Sequence, residues 1–239
     1  MKQTLSADRT LLTAQLEEAL EGDLCPICLL ARNNEYRQLD MLLYECINDP
    51  GTRRKLKRSR GLCVYHTYRL LEVGGYGSHA KIAILFKDLV DDMAQEVSKL
   101  SASRPKDIDM ESDCPVCIGL RQTETDFATI MVAYLADVER RTRYGRSFGL
   151  CMRHFNIVMA RADRSLRQFL RDDQELRLRA LSADLGEFVR KSVVQIEPFG
   201  AERDVWIRVL RLYAGALKPD ERLKCEQALP QKQEEPTSS

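Results

Sequence analysis

The stretch GLCVYH at residues 61–66 returns as GLCMRH at residues 149–154, and the whole chain has only three histidines. Each copy follows a Cys-Pro-x-Cys: Cys25 and Cys28 in CPIC precede Cys63 and His66, and Cys114 and Cys117 in CPVC precede Cys151 and His154. Thirty-four residues separate Cys28 from Cys63, and thirty-three separate Cys117 from Cys151. The alignment this implies also superposes Arg32 on Arg121, Glu35 on Glu124, Arg58 on Arg146 and Ser59 on Ser147. A loop at Asp49-Pro50-Gly51 absorbs the one-residue difference. The chain therefore reads as two copies of a unit of about ninety residues, an internal repeat.

The local pattern is helical throughout. Phe127, Ile130, Met131, Tyr134, Leu135 and Val138 follow the three-four spacing of a buried helix face, as do Tyr36, Leu39, Leu43, Cys46 and Ile47. Ile82, Leu85, Phe86, Leu89, Met93 and Leu100 mark a long helix after the first GLCxxH. Leu166, Phe169, Leu170, Leu181, Leu185 and Phe188 mark its counterpart, which Asp163 starts. Gly74, Gly75 and Gly77 break the chain in the first copy. A further helix is expected around Val205, Trp206, Val209, Leu210 and Tyr213, with Trp206 in the core. The organisation expected is a first metal-binding repeat over 1–104, a second over 105–193, a helical extension over 194–229 and a disordered polar tail over 230–239. Residues 101–113 form the linker between the copies. The fold class is all-α: two tandem pseudo-symmetric helical units, each pinned by a Cys3His site, plus the C-terminal extension.

Proline after the first cysteine suits the first turn of a helix, where its missing N–H costs nothing. The cysteines of CPxC then sit at a helix N-terminus, whose unpaired N–H groups and positive dipole end stabilise thiolate, the form that binds metal. Cys63 and His66, like Cys151 and His154, are spaced i, i+3 and share a helix face. Each repeat thus offers three sulfurs and an imidazole, a closed set of the kind zinc takes in structural sites. A helix of about nineteen residues between the two halves rises on the order of 28 Å. The stretch DPGTRRKLKRSR, partly extended, brings the chain back to its start. Two zinc ions are expected, with iron–sulfur clusters on the same ligands as the alternative. Cys46 and Cys225 read as small buried hydrophobes.

An ion with three thiolates and a neutral imidazole carries net −1, so two sites take the formal charge of +1 to −1. Buried negative charge needs partners. Arg32, Arg58, Arg121 and Arg146 are the candidates to face the sulfurs; solvated surface arginines are the plain alternative. RRKLKR at 53–58, with Arg53, Arg54 and Lys55, and RRTRYGR at 140–146, with Arg140 and Arg141, are the densest basic runs. They offer a contact surface for nucleic acid or another polyanion, against the plainer reading of a solvated connector. Glu35 and Glu124 could act as bases or ligands, but pairing with a nearby arginine is the simpler role. His79 reads as a surface or cap residue.

The repeated CPxC…RSxGLCxxH pattern, with a helical tail carrying DVWIRVLRLYAG, resembles an uncharacterised prokaryotic family defined only as a domain of unknown function. The resemblance covers about residues 14–215. It implies a helical, cysteine-rich protein and brings no activity with it.

Apolar residues at 44% and charged residues at 31% suit a packed core. No run of eighteen apolar residues exists to span a bilayer, and the N-terminus lacks a signal-peptide core. A cytoplasmic protein is expected, where disulfides are disfavoured and the cysteines need another use. Saturated metal ligation, no Gly-rich phosphate loop and no nucleophile–base pair argue against an enzyme, and no small-molecule substrate is indicated. The expectation is a zinc-binding helical scaffold or adaptor with a protein or nucleic acid as partner. The alternative is a redox or sensor protein built on iron–sulfur clusters.

Overall fold

A computed structural model of the chain describes residues 2–99, 114–194 and 197–215. The whole 101–113 linker, the extension beyond 215 and the 230–239 tail lie outside the described residues, as do Leu100 and Cys225. The described residues form α1 (Lys2–Ala19), α2 (Pro26–Tyr44), α3 (Pro50–Arg58), α4 (Val64–Gly74) and α5 (His79–Ser98). There follow α6 (Pro115–Leu135), α7 (Val138–Arg146), α8 (Met152–Met159), α9 (Arg164–Val194) and α10 (Val205–Ala214). Two 3-10 turns cover Gly75–Ser78 and Ala201–Asp204, and among the described residues there is no strand. The class is all-α, as the periodicity indicates.

Helix starts follow the local chemistry. Pro26 and Pro115 open α2 and α6 directly after Cys25 and Cys114. Asp49 caps α3 through its carboxylate, which accepts from Thr52 N at 2.6 Å, and Pro50 takes the first helical position. The segment read as a loop followed by a partly extended return is therefore mostly helix. Asp137 caps α7 in the same way, accepting from Glu139 N at 3.0 Å. Asp163 starts α9 as expected, its Oδ1 accepting from Leu166 N at 2.8 Å. Gly75 has φ +57 and ends α4.

The chain divides into two compact units, Met1–Leu30 with Phe127–Ser239, and Ala31–Asp126. The boundaries fall inside α2 and α6, so the spatial units do not coincide with the two sequence copies. In the Ala31–Asp126 unit the core is Leu39, Leu42, Leu43, Leu56, Leu70, Leu85, Leu89 and Val116. Asn34 bonds to Thr123, and Gln38 lies against Gly119, so these parts of α2 and α6 run antiparallel. Helix α3 lies along α5, joined by Arg53–Asp88, Lys57–Asp92 and Arg60–Glu96. These pairs are partly exposed and contribute little to stability.

The other unit packs Leu16, Ile27, Met131, Leu135, Tyr144, Leu150, Val158 and Leu170 into its core. Residues Phe127 to Leu135 of the expected α6 face are buried, but Val138 is 69% exposed because α6 has already ended and α7 begins there. Likewise Tyr36 is half exposed while Leu39 and Leu43 are buried. Helix α10 forms where expected but turns a different face inward: Val205, Ile207 and Leu212 are buried, Trp206 is half-buried, and Leu210 and Tyr213 are exposed. It packs against both α8 and α9, so its buried arc is wider than a single stripe.

Candidate metal centres

Each unit contains one group of four ligand residues: Cys25, Cys28, Cys151 and His154 in one, and Cys63, His66, Cys114 and Cys117 in the other. Within each group one ligand atom from every residue lies within 4.8 Å of the rest. All eight residues predicted as ligands are thus gathered into two Cys3His sets. The pairing is crossed. Each set takes its CPxC from one sequence copy and its CxxH from the other, where a set internal to each copy was expected. The physical reason is helix continuity. Helix α2 rises on the order of 28 Å and α3 continues as helix, so the chain does not return to Cys25. In the Ala31–Asp126 unit the chain leaving α2 instead delivers Cys63 beside the start of α6, where Cys114 waits. In the other unit the chain leaving α6 delivers Cys151 beside the start of α2.

Both centres are built where two helix N-termini converge. Cys63 and Cys151 are the N-cap residues of α4 and α8, with extended backbone (φ −64, ψ 163 and φ −67, ψ 161) and no side-chain cap bond. Their sulfurs are therefore free to face the centre, and the helix N–H groups and dipoles favour negative charge there. The glycine of each GLC has positive φ, +102 at Gly61 and +80 at Gly149, which lets the chain turn from the preceding helix into the cysteine. At Gly149 a Cβ would meet the Arg177 guanidinium. Arg177 donates to Ser147 O at 2.7 Å and to Tyr144 O and Gly145 O at 3.1 Å, holding the end of α7, while Asp173 accepts from its Nε at 2.7 Å.

In the centre on α2 and α8, His154 Nδ1 lies 3.4 Å from Cys25 Sγ, 3.3 Å from Cys28 Sγ and 3.3 Å from Cys151 Sγ. Cys28 and Cys151 are 3.7 Å apart, sulfur to sulfur. All four residues are buried. Hydrogen bonds from Cys25 and Cys28 hold the Cys151 thiol far below its usual range, while burial pushes Cys25 well above it. In the centre on α4 and α6, His66 Nδ1 lies 3.2, 3.3 and 3.6 Å from the sulfurs of Cys63, Cys117 and Cys114. Cys63 and Cys117 are 3.7 Å apart. Burial opposes the Cys114 thiolate, but the His66 bond and the backbone N–H groups of Cys63, Cys117 and Val116 outweigh it and bring the thiol down to about 6. Burial and the neighbouring thiolates push Cys117 up to about 12. Burial opposes ionisation at both Cys114 and Cys117, and a bound cation would offset that cost.

Glu35 joins this second centre. Its Oε1 is 3.3 Å from His66 Nε2, not aligned for a strong hydrogen bond, and its Oε2 is 3.4 Å from Arg69 Nε. Arg69 also donates to Glu72 at 2.8 Å. Burial works against the Glu35 carboxylate, but His66 and Arg69 hold it below the ordinary carboxylate range. Burial would lower the imidazole; the Cys114 bond, the Glu35 carboxylate and the Cys63 bond lift it to about 10 instead. The carboxylate behind the ring fixes the face that Nδ1 turns to the sulfurs. Sequence reasoning gave Glu35 an arginine partner but missed the histidine, and it missed Arg69 altogether.

The remaining candidates lie along several helices. Arg58 and Arg146 are exposed near the ends of α3 and α7, Arg121 is exposed on α6 and Arg32 is half-buried on α2. Arg53 is held by Asp88 and donates to Ile47 O at 2.8 Å, whereas Arg54 and Lys55 are exposed. Arg140 lies over the Tyr134 ring at 4.9 Å; Arg141 donates to Leu135 O at 2.9 Å and lies over Phe169 at 5.0 Å. Cys46 is half-buried and His79 is exposed at the start of α5. Among the described residues no helix is long and apolar enough to cross a membrane.

The fold and its paired centres define a helical protein with two Cys/His groups able to hold metal ions. Across residues 8–215 the sequence matches a family of unknown function, DUF6062, and the chain belongs to that family. No curated protein and no solved structure shows significant similarity to it.

Proposed function

We propose that the protein is a zinc-stapled helical scaffold, with one ion in each Cys3His set, that presents its surface to a partner protein. Ligand spacing carries the reading. A tetrahedral zinc with sulfur at about 2.3 Å and nitrogen at about 2.0 Å sets sulfur–sulfur edges near 3.8 Å and sulfur–nitrogen edges near 3.5 Å. The protein holds 3.7 Å for Cys28–Cys151 and Cys63–Cys117, and 3.2–3.6 Å between each Nδ1 and its sulfurs. An iron–sulfur cluster spreads its ligands over separate irons and asks for a wider set, so these edges favour a single ion. Four protein ligands complete a tetrahedral ion and leave no position for water or substrate, which favours a structural over a catalytic role.

Each ion would tie segments distant in sequence, and its binding free energy would then be folding free energy. Arg32, Arg58, Arg121 and Arg146 remain the proposed balance to the anionic centres. Within the first basic run Arg53 and Lys57 are paired with Asp88 and Asp92, which favours a protein over nucleic acid as partner. Metal analysis of anaerobically purified protein tests the reading. A colourless preparation with two zincs per chain is expected; a brown preparation containing iron and labile sulfide would refute it.

A further inference from the structure

The two ligand sets are chemically identical, but their surroundings differ. In the centre on α2 and α8 every ligand residue is buried. The end of α10 closes over it: a Cβ on Gly215 would lie 3.1 Å from Cys28 Sγ and 3.5 Å from Cys151 Sγ, and the backbone there has φ +78. Bare backbone therefore rests on the sulfurs as a lid. In the centre on α4 and α6, His66 and Cys114 are buried but Cys63 and Cys117 are partly exposed. Those two reachable sulfurs are also neighbours, 3.7 Å apart and on different helices. The buried centre has a pair at the same spacing, Cys28 and Cys151. Access, rather than distance between sulfurs, separates the two pairs.

We propose that Cys63 and Cys117 form a thiol switch that responds to hydroperoxides, releasing the ion of their centre while the centre beneath α10 keeps its own. This rests on the zinc reading above. One of the two thiolates attacks the peroxide O–O bond, forming a sulfenic acid and expelling hydroxide. The second thiolate attacks the sulfenyl sulfur and expels the second hydroxide. Two thiolates and one hydrogen peroxide thus give one disulfide and two hydroxides; the sulfurs lose two electrons and the O–O bond takes them. The sulfurs need to close from 3.7 Å to about 2.05 Å. His66 and Cys114 alone are then left to hold the ion, and two ligands hold zinc far more weakly than four.

The test uses the full chain loaded with two zincs, its metal content verified first. One equivalent of hydrogen peroxide is added without other thiols, released zinc is read with a chromophoric chelator, and alkylated peptides are mapped by mass spectrometry. One zinc per chain should appear, with Cys63 joined to Cys117, and the second should leave at least ten times more slowly. Dithiothreitol and zinc should restore the starting state. Release of both zincs together, a Cys28–Cys151 bond formed first, or no release under tenfold excess peroxide would overturn the proposal while leaving the zinc scaffold standing. Iron in place of zinc would overturn both. Gly215→Ala supplies an internal control: by pressing a methyl on Cys28 it should bring release from the buried centre closer to that of the exposed one, whose own rate stays unchanged.

Discussion

The crossed pairing makes a prediction in whole numbers. In Cys28→Ser/Cys151→Ser both lost ligands belong to one centre, and in Cys28→Ser/Cys63→Ser they belong to two. The first double variant leaves the Cys63, His66, Cys114 and Cys117 set whole and should retain one zinc per chain. The second leaves both centres with two sulfurs and an imidazole. Loss of a thiolate from a structural zinc site removes a substantial part of a binding free energy of about 10–16 kcal/mol, so against a competing chelator neither centre should hold its ion and the count should fall to zero. Thermal stability should follow the same logic. The two same-centre substitutions should be strongly non-additive, because the second removes a ligand from a centre already lost. Substitutions in different centres should add more nearly, within about 0.5 kcal/mol. Inductively coupled plasma analysis after dialysis against the chelator reads the count, and melting curves read the coupling. One zinc in Cys28→Ser/Cys63→Ser with none in Cys28→Ser/Cys151→Ser would show that each CPxC binds with its own copy's CxxH, and would refute the crossed arrangement.

Other consequences are separately measurable. Glu35→Ala removes the carboxylate behind His66 and should weaken zinc about 10–100-fold at that centre, or about 1.4–2.7 kcal/mol, leaving the other centre unchanged in a two-step chelator competition; Glu35→Gln should recover part of the loss. Lys191, 2.8 Å from Glu202, and the Gly200 N–H hold the Glu202 carboxyl down to about 2 from an ordinary value of 4.5. A lowered folded value means stabilisation that is complete above pH 4.5 and fades as the pH falls through 2. The melting difference between wild type and Glu202→Gln should therefore be greatest above pH 4.5 and close toward pH 2, and a difference independent of pH would refute the pairing. Nucleic-acid binding should be weak and unchanged when Arg53, Arg54 and Lys55 are neutralised; a steep salt dependence lost in that variant would restore the polyanion reading.

The eight ligands were legible because their signals are local. A proline after the first cysteine and a glycine two residues before the third fix helix starts and turns whatever the tertiary arrangement. The pairing was not legible, because nearly equal spacings in the two copies satisfy either arrangement. One available signal pointed to it: Asp49-Pro50 is a helix start, an N-cap followed by proline at the first position, and reading it as a loop allowed an extended return to Cys25. Glu35 was judged by its distance along α2 from Cys28, whereas its contacts, His66 and Arg69, arrive on α4. The inward face of α10 depends on packing against α8 and α9 together, which no one-helix pattern contains.

The difference between the centres follows from what the chain does after each GLCxxH. After His154 the chain passes through the long helix α9, turns back at Gly200 and Ala201–Asp204, and lays α10 against α8. Arg211 is anchored to Asp23 at 2.7 Å, just before Cys25, which draws the end of α10 toward the CPIC turn. Gly215 can then settle on the sulfurs because it has no Cβ and tolerates φ +78. Among the described residues nothing comparable follows His66, where α4, the 3-10 turn and α5 fold back onto α3 and two sulfurs stay within reach of solvent. A duplicated ligand motif has in this way yielded two unequal environments. The sealed centre suits permanent support of the fold, and the open one suits exchange with whatever reaches its sulfurs.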